Sequence, residues 1–332
     1  MRHHPIRLQP LILRSKATRR EARRSGSAWV HCFLPPANGK KLLTSGLHKV
    51  IALLELERID DNIFRGDSHD IGAPQVFGGQ IVGQALSAAH QTVDDRRPHS
   101  LHAYFLRPGD FHHPVIYQVE RSRDGRSYAN RRVVAIQHGR PILNLAASFH
   151  SDEEGYEHQA EMPDVPGPEG LTSSTELGRA AAEHAPEKMR RLLMHSPPFE
   201  FRPVEAPKFI DPSVRPPRKH VWMKAWEALP DDEALHRHLL TYVSDYELLG
   251  TATFPHELDF RSRRVQMASL DHALWFHRSF RVDDWLLYAC DSPSGFGGRG
   301  FARGQIFSRQ GVLLASVAQE GVIRPRRRPP PG

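Results

Sequence analysis

The sequence predicts an α+β protein built from two fused copies of one unit, each a long helix followed by an antiparallel β-sheet. An apolar pattern of helical period precedes several short runs of alternating apolar and polar residues twice along the chain, at 78–149 and again at 234–317. The spacing also repeats, because Ser100 lies 39 residues before the turn glycine Gly139 and Ser269 lies 42 residues before Gly311. A repeated order with similar spacing indicates an internal duplication.

The first unit opens with a short helix, since apolar residues at 47, 50, 51, 53 and 54 share one helical face. A strand is predicted at 59–67 and a long helix at 78–91, whose small residues Gly83 and Ala88 would let it lie close to a sheet. Strands are predicted at 100–106, 114–121, 128–137 and 141–149, the last two joined by a turn at His138-Gly139. One helix wrapped by such a sheet is the hotdog arrangement, so the whole chain is predicted to be a double hotdog.

The second unit repeats this layout after a connector rich in proline and charge, which contains one predicted helix at 174–194. Helix-start signals at 230–233 lead into a helix at 234–249, and strands are predicted at 265–276, 285–290, 300–308 and 311–317. The chain is therefore predicted to contain five segments. They are a basic, disordered extension (1–46), an N-terminal repeat (47–150), a linker (151–220), a C-terminal repeat (221–323) and a disordered tail (324–332).

The charge of the chain lies mainly at its two ends. The formal charge is +7, yet residues 1–46 hold ten Lys or Arg and one acidic residue, Glu21. The body is therefore mildly acidic, which argues against nucleic acid as a partner. The two cysteines, Cys32 and Cys290, have no pairing or zinc-binding spacing and favour a reducing compartment. No apolar run approaches 18 residues, so stable membrane insertion is not expected.

The basic N-terminal stretch has three readings. It could be a disordered arm, a product of an over-long start codon, or an organelle transit peptide, which is typically rich in arginine and poor in acid. The chain ends in Pro-Pro-Pro-Gly rather than in a peroxisomal Ser-Lys-Leu tripeptide. We expect a cytoplasmic protein, with the alternative of mitochondrial import left open.

Three polar residues interrupt strongly apolar segments and are the candidate site. Asp245 lies in an apolar helical pattern, Ser269 in a strand-like run, and Gln319 at the end of another strand. Side chains from three separate elements could converge and activate a water molecule. Alternatively, Asp245 could be solvated, the Ser269 hydroxyl could bond a neighbouring backbone group, and Gln319 could lie at a sheet edge.

Five motifs in the same order resemble the acyl-CoA thioesterase II family. The motifs are Phe77-Gly-Gly-Gln80, Tyr104-Phe-Leu-Arg-Pro-Gly109, Ser269-Leu-Asp-His-Ala-Leu-Trp-Phe-His-Arg278, Trp285-Leu-Leu-Tyr288 and Val317-Ala-Gln-Glu-Gly321. The resemblance runs from about residue 47 to about residue 323. It implies a hotdog fold, an acyl-CoA substrate, no cofactor or metal, and assembly into a homo-oligomer, either a dimer or a tetramer.

The same resemblance assigns roles to the candidate residues. In that family an aspartate acts with a Ser or Thr and a Gln on one water, and the matching positions are Asp245, Ser269 and Gln319. Gly78, Gly79 and Gln80 open the first long helix, where backbone N–H groups could contact the thioester or its oxyanion. Close packing of the helix on the sheet would explain the two glycines equally well.

The resemblance predicts hydrolysis of fatty acyl-CoA to a free fatty acid and CoA. Two alternatives stay open: a non-catalytic acyl-CoA-binding protein, and a hotdog dehydratase or hydratase, which would need a histidine beside an acid.

Other motifs are less convincing. The GxGxxG pattern at 295–300 is followed by a strand-like run, where a dinucleotide site needs a helix. His272 and His277 should face opposite sides of a strand, which disfavours a shared metal.

Overall fold

The computed structural model describes residues 46–72, 75–183, 185, 187, 190, 193–258 and 265–325. The first half of this described chain contains two helices and six strands. They are α1 (Gly46–Leu54), β1 (Glu57–Asp60), β2 (Ile63–Gly66), α2 (Gly78–His90), β3 (Arg97–Phe105), β4 (Val115–Asp124), β5 (Tyr128–Gln137) and β6 (Arg140–His150).

The remaining described elements form the connector and the second half. They are α3 (Ser174–Ala182), β7 (Phe199–Pro203), β8 (Arg218–Ala225), α4 (Glu233–Val243), a 3₁₀ helix (Leu249–Thr253), β9 (Val265–Ser269), β10 (Asp271–Phe276), β11 (Leu286–Phe296), β12 (Arg299–Ser308) and β13 (Leu313–Pro325).

All thirteen strands of the described residues belong to one antiparallel sheet. Its order is β1-β2-β4-β5-β6-β3-β10-β13-β12-β11-β8-β7, and β9 pairs with β13 beside this path. The two halves join where β3 pairs with β10, with Leu101 opposite Leu274. The predicted α+β double hotdog is confirmed, and the sheets of the two halves are continuous with each other.

The strands form because alternate side chains are apolar and face the core. In β5, every second residue from Ala129 to Gln137 is buried while its neighbours are more exposed. Helix α2 is different, because every residue from Gly79 to Ala89 is buried. This helix contacts β2 to β6 on one side and α4 on another, so its glycines and alanines allow close approach on several faces.

Several element boundaries differ from the sequence predictions. The connector predicted at 151–220 contains β7 and the start of β8, which extend the sheet beyond β11. The strand predicted at 265–276 is split at Leu270, because β9 pairs only with β13 whereas β10 also pairs with β3. The predicted strand at 59–67 is a short hairpin of β1 and β2.

The predictions for the two chain ends mostly lie outside the described residues. This applies to the disordered extension up to residue 45 and to the tail from residue 326, whereas Arg324 and Pro325 belong to β13. The GxGxxG pattern is the β11–β12 hairpin, in which Gly297 and Gly298 have positive φ. None of the helices in the described part is both long and apolar enough to span a bilayer.

Candidate active site

Asp245 lies at the centre of the candidate site and joins the two halves of the chain. Its side chain is 6% exposed. One carboxylate oxygen, Oδ2, accepts a hydrogen bond of 2.8 Å from the backbone N–H of Gly79 at the start of α2. The other, Oδ1, accepts one of 2.6 Å from Nε2 of Gln319 on β13. The N-cap residue of α2, Phe77, makes no side-chain capping hydrogen bond. Asp245 therefore supplies an acceptor, and negative charge, where the helix dipole favours it.

The helix before Asp245 is shorter than the sequence predicted. A helix was expected to 249 with Asp245 in its middle, but α4 ends at Val243 and Ser244 is its C-cap. Side chains from the sheet satisfy the carbonyls released there: Tyr288 donates to the Ser244 carbonyl at 2.9 Å, and Lys219 donates to that of Glu247 at 2.8 Å. Because these tertiary partners replace helical hydrogen bonds, the chain leaves the helix and directs Asp245 toward α2.

Gln319 lies in the interior of the sheet rather than at an edge. It is fully buried on β13, between β12 on one side and β9 and β10 on the other. Its Nε2 contacts Asp245 and also lies 3.3 Å from Nδ1 of His272. Its Oε1 is buried and has no hydrogen-bond partner in the described part of the chain. An unpaired buried amide oxygen is costly unless something donates to it.

Ser269 is the last residue of β9, where it pairs with Gly321. It lines a cavity of about 210 Å³ between the two halves, together with Val76, Gly78, Ile81, Phe105 and Ile142 among others. No hydrogen bond links Ser269 to Asp245 or Gln319 within the described residues. Gly78 lines the same cavity as Ser269, and a Cβ atom on Gly78 would lie 2.7 Å from Asp245 Oδ2.

The three residues that open α2 have different environments. Gly78 faces both the cavity and the Asp245 carboxylate. The N–H of Gly79 is used by Asp245. The side chain of Gln80 turns to the preceding loop, where it accepts from the His69 N–H at 3.1 Å and donates to the Asp67 carbonyl at 3.3 Å.

Sequence reasoning missed one member of this cluster, His272 on β10. It is fully buried, and its Nε2 lies 2.9 Å from the Ser244 hydroxyl while its Nδ1 lies 3.9 Å from Asp245 Oδ1. Burial lowers its pKa, against the opposing effect of the Asp245 and Asp271 charges. His277 is exposed and contacts Ser316 at 2.8 Å, so the prediction that the two histidines face opposite sides is confirmed. The available sequence signal was a histidine that follows Asp271 and directly precedes the apolar run 273–276 of a predicted strand.

Two other features of the described residues lie apart from this cluster. Asp110 Oδ2 lies 2.7 Å from His113 Nδ1 and 3.2 Å from His138 Nε2, a geometry that could hold a metal ion. Both histidines are exposed, and the imidazole groups already satisfy the carboxylate. A larger cavity of about 640 Å³ lies beside the β11–β12 hairpin, and its lining contains none of the predicted site residues.

Comparison with protein families gives two matches that together cover both halves. The model described as "Acyl-CoA thioesterase N-terminal domain" matches residues 64–150, and the model described as "Acyl-CoA thioesterase" matches residues 198–322.

Individual relatives match over most of the chain. It is 44% identical over 279 residues to acyl-CoA thioesterase 2 of Haemophilus influenzae, which covers 84% of this chain and 98% of that protein. It is 40% identical to human acyl-coenzyme A thioesterase 8, over 87% of this chain and 91% of the human protein. Among solved structures, an acyl-CoA thioesterase II from Mycobacterium marinum superposes with a TM-score of 0.69 at 38% identity. The superposition covers 85% of this chain and 100% of that chain.

Proposed function

Because this chain belongs to the acyl-CoA thioesterase II family and is a thioester hydrolase, we propose that it hydrolyses fatty acyl-CoA with a water activated by Asp245, Ser269 and Gln319. The observation that carries this proposal is the buried Asp245 carboxylate, held by Gln319 and Gly79 next to the cavity that Ser269 lines. These groups come from α2, the segment after α4, β9 and β13, so both halves of the chain set the geometry before substrate binds.

In the proposed reaction, Asp245 accepts a proton from the water as its oxygen attacks the thioester carbonyl carbon. A tetrahedral oxyanion forms, the carbon–sulfur bond breaks, and the CoA thiolate takes the proton back from Asp245. The products are a free fatty acid and CoA. Ser269 and the unpaired Oε1 of Gln319 hold the water in line with the carbonyl. Thioesters are reactive electrophiles, so no metal or covalent intermediate is required.

The oxyanion contact is assigned to the backbone N–H of Gly78. The N–H of Gly79 already donates to Asp245, and the Gln80 side chain is bound to the loop before α2. Gly78 lines the cavity at the positive end of the helix dipole, where developing negative charge is stabilised.

Hydrolysis fits the site better than dehydration does. A dehydratase needs a histidine that can reach its substrate. His272 lies beside Asp245, but it is fully buried and both of its ring nitrogens are within hydrogen-bonding distance of protein groups. A purely binding protein would have no need for a desolvated, oriented carboxylate at the cavity.

The test measures thiol release from a panel of acyl-CoAs by the parent protein and by Asp245→Asn. The asparagine keeps the size of the side chain and removes its charge, so we expect turnover to fall on the order of 10²- to 10⁴-fold with the fold and acyl-CoA affinity retained. Ser269→Thr, the matched control, retains the hydroxyl and should stay active, whereas Ser269→Ala and Gln319→Ala should lose less than Asp245→Asn. Losses should be non-additive because all three groups act on one water.

Two outcomes would contradict the proposal. Full activity in Asp245→Asn would remove this mechanism. Acyl-CoA binding without thiol release at any chain length would favour the binding protein. A cytoplasmic location and a dimeric or tetrameric assembly stay predictions, to be checked by fractionation and by sedimentation velocity.

A further inference from the structure

We propose that His272 is a positioning residue for this reaction: it holds the amide of Gln319 in one orientation, so that Oε1 of Gln319 faces the reacting water. The inference rests on the proposed function, because it assigns a task within the same site. In this role His272 would not touch the substrate.

The neighbours of the Gln319 amide fix which way it points. The atom 2.6 Å from Asp245 Oδ1 must be the nitrogen, since an ionised carboxylate oxygen only accepts hydrogen bonds and a second oxygen there would be repelled. The same nitrogen lies 3.3 Å from His272 Nδ1. Its two hydrogens therefore have two acceptors, one on the carboxylate and one on the imidazole. This leaves Oε1 as the unpaired atom of the amide.

The Gln319 amide also fixes which nitrogen of the His272 imidazole carries the proton. An amide nitrogen has no lone pair to offer, so Nδ1 of His272 must accept and the ring proton must sit on Nε2. The partner of Nε2 agrees with this assignment. The Ser244 hydroxyl donates to the Thr241 carbonyl at 3.1 Å, which leaves its oxygen free to accept from Nε2–H at 2.9 Å.

Without the contact to His272, the Gln319 amide would lose its fixed orientation. An amide bonded only to Asp245 could rotate about its last side-chain bond, since a terminal torsion of this type is broad. His272 provides a second acceptor on the other amide hydrogen and so defines the amide plane. Burial lowers the pKa of the ring and favours the neutral form, which alone can accept at Nδ1. A protonated ring would present a hydrogen to the Gln319 amide and displace it.

A purely structural buried histidine is the simpler alternative. The placement of its two contacts argues against it. Ser244 immediately precedes Asp245, and Gln319 bonds the Asp245 carboxylate, so His272 connects the two elements that hold the base. Any buried imidazole needs partners for its ring nitrogens, and the feature that favours a positioning role is that both partners adjoin Asp245.

The test uses two substitutions that each keep one half of the imidazole. Asparagine can place its amide oxygen near the position of Nδ1, so His272→Asn retains the acceptor for Gln319 and loses the Ser244 contact. Glutamine reaches the position of Nε2, so His272→Gln retains the donor to Ser244 and loses the acceptor. We expect His272→Gln to lower kcat on the order of 10²-fold with KM little changed, and His272→Asn to retain most of kcat.

A double-mutant cycle separates positioning from packing. In a Gln319→Ala background, His272→Gln should cause almost no further loss of kcat, because the group that it positions is gone. Thermal unfolding midpoints should be similar for the two His272 variants. Equal losses in both variants, or a loss from His272→Gln that adds fully to that of Gln319→Ala, would overturn the proposal.

The outcomes also distinguish this inference from the proposed function. If Asp245→Asn loses turnover while His272→Gln is as active as the parent, only the role of His272 is wrong. If neither His272 variant folds, neutron diffraction from the parent protein decides the question. A hydrogen on Nε2 and none on Nδ1 is expected, and a hydrogen on Nδ1 would contradict the proposal.

Discussion

Asp245 shows how one buried charge is made tolerable by partners from distant parts of the chain. A carboxylate with 6% exposure would be costly without hydrogen bonds, and here a helix N–H and a glutamine amide provide them. The contact with Gly79 requires the backbone of α2 to come unusually close. A Cβ atom on Gly79 would overlap the Tyr242 carbonyl oxygen and would lie 2.5 Å from the Phe77 ring.

Gly79→Ala is therefore expected to damage both stability and activity. The added methyl meets backbone rather than a flexible side chain, so α2 must move, and we expect a loss of about 1–3 kcal/mol in unfolding free energy. The same movement withdraws the N–H from Asp245, so kcat should fall by more than tenfold. Denaturant unfolding and thiol release measure the two effects.

Gly83→Ala is the matched control on the same helix. Its Cβ would meet the end of the Leu54 side chain at 3.0 Å, and that side chain can shift. Alanine also favours the helix over glycine by up to about 1 kcal/mol. Near-parental activity is expected in Gly83→Ala. A Gly79→Ala variant that behaves like this control would show that the close approach of α2 is unnecessary.

At the scale of elements, the contact between α2 and α4 holds the site together. His90 of α2 and His238 of α4 face each other across it, with Nδ1 of the first 3.1 Å from Nε2 of the second. Burial lowers the pKa of both rings. Arg237 further lowers the pKa of His90, while the Arg96 backbone and the charges of Asp232 and Glu233 oppose the shift, and His90 further lowers that of His238. This pair is neutral in the folded protein at neutral pH.

This arrangement predicts a loss of stability on mild acidification. The folded-state pKa values lie below the unfolded value of about 6.5, so the unfolded chain binds more protons as the pH falls through 6.5. The full contribution of the neutral histidine pair to the free energy of unfolding should be present above that pH. It should decrease below that pH, until the folded-state pKa values are reached. Unfolding free energies between pH 7.5 and 5 should fall less steeply in His238→Gln than in the parent.

Other buried histidines also contribute to the slope, so the comparison needs a control. The comparison variant is His112→Gln, which makes the same change at an exposed position outside the helix pair. An unchanged slope in His238→Gln would mean that the helix pair does not titrate with folding.

At the scale of the whole molecule, the two halves share one sheet and one core. The β3–β10 pairing joins the halves of the sheet, and the buried apolar cluster includes residues from both. Side-chain bonds also cross between them, such as the bond of 2.9 Å from the Arg237 guanidinium to the Pro98 carbonyl. A half separated from its partner would expose a large apolar surface.

We therefore expect the two halves to unfold together. In a Trp29→Phe variant the remaining tryptophans, at 222, 226, 275 and 285, all lie in the second half. Their fluorescence should follow the same guanidinium transition as far-UV circular dichroism, which reports both halves. Leu274→Ala at the junction should lower stability by about 2–5 kcal/mol and shift both signals equally. A fluorescence transition separate from the dichroism transition would show independent halves.

Local periodicity in the sequence determined most of the fold. Alternating apolar residues predicted the core strands, such as β5 at 128–137, and the apolar face of Ile81, Val82, Ala85, Leu86 and Ala89 predicted α2. Such patterns can be recognised in the sequence because buried positions recur every 2.0 residues in a strand and every 3.6 residues in a helix. The family motifs also predicted Asp245, Ser269 and Gln319 as the candidate site, and the structure brings Asp245 and Gln319 into hydrogen-bonding contact.

The contacts between polar groups from distant parts of the chain depend on the tertiary structure. The bond between Gly79 and Asp245 joins residues 166 apart, and the contact between Gln319 and His272 joins residues 47 apart. The end of α4 at Val243 likewise depends on Tyr288 and Lys219 from the sheet. No local pattern records such contacts, because a helix end or a buried polar group is stabilised by whichever distant partner the completed fold brings near it.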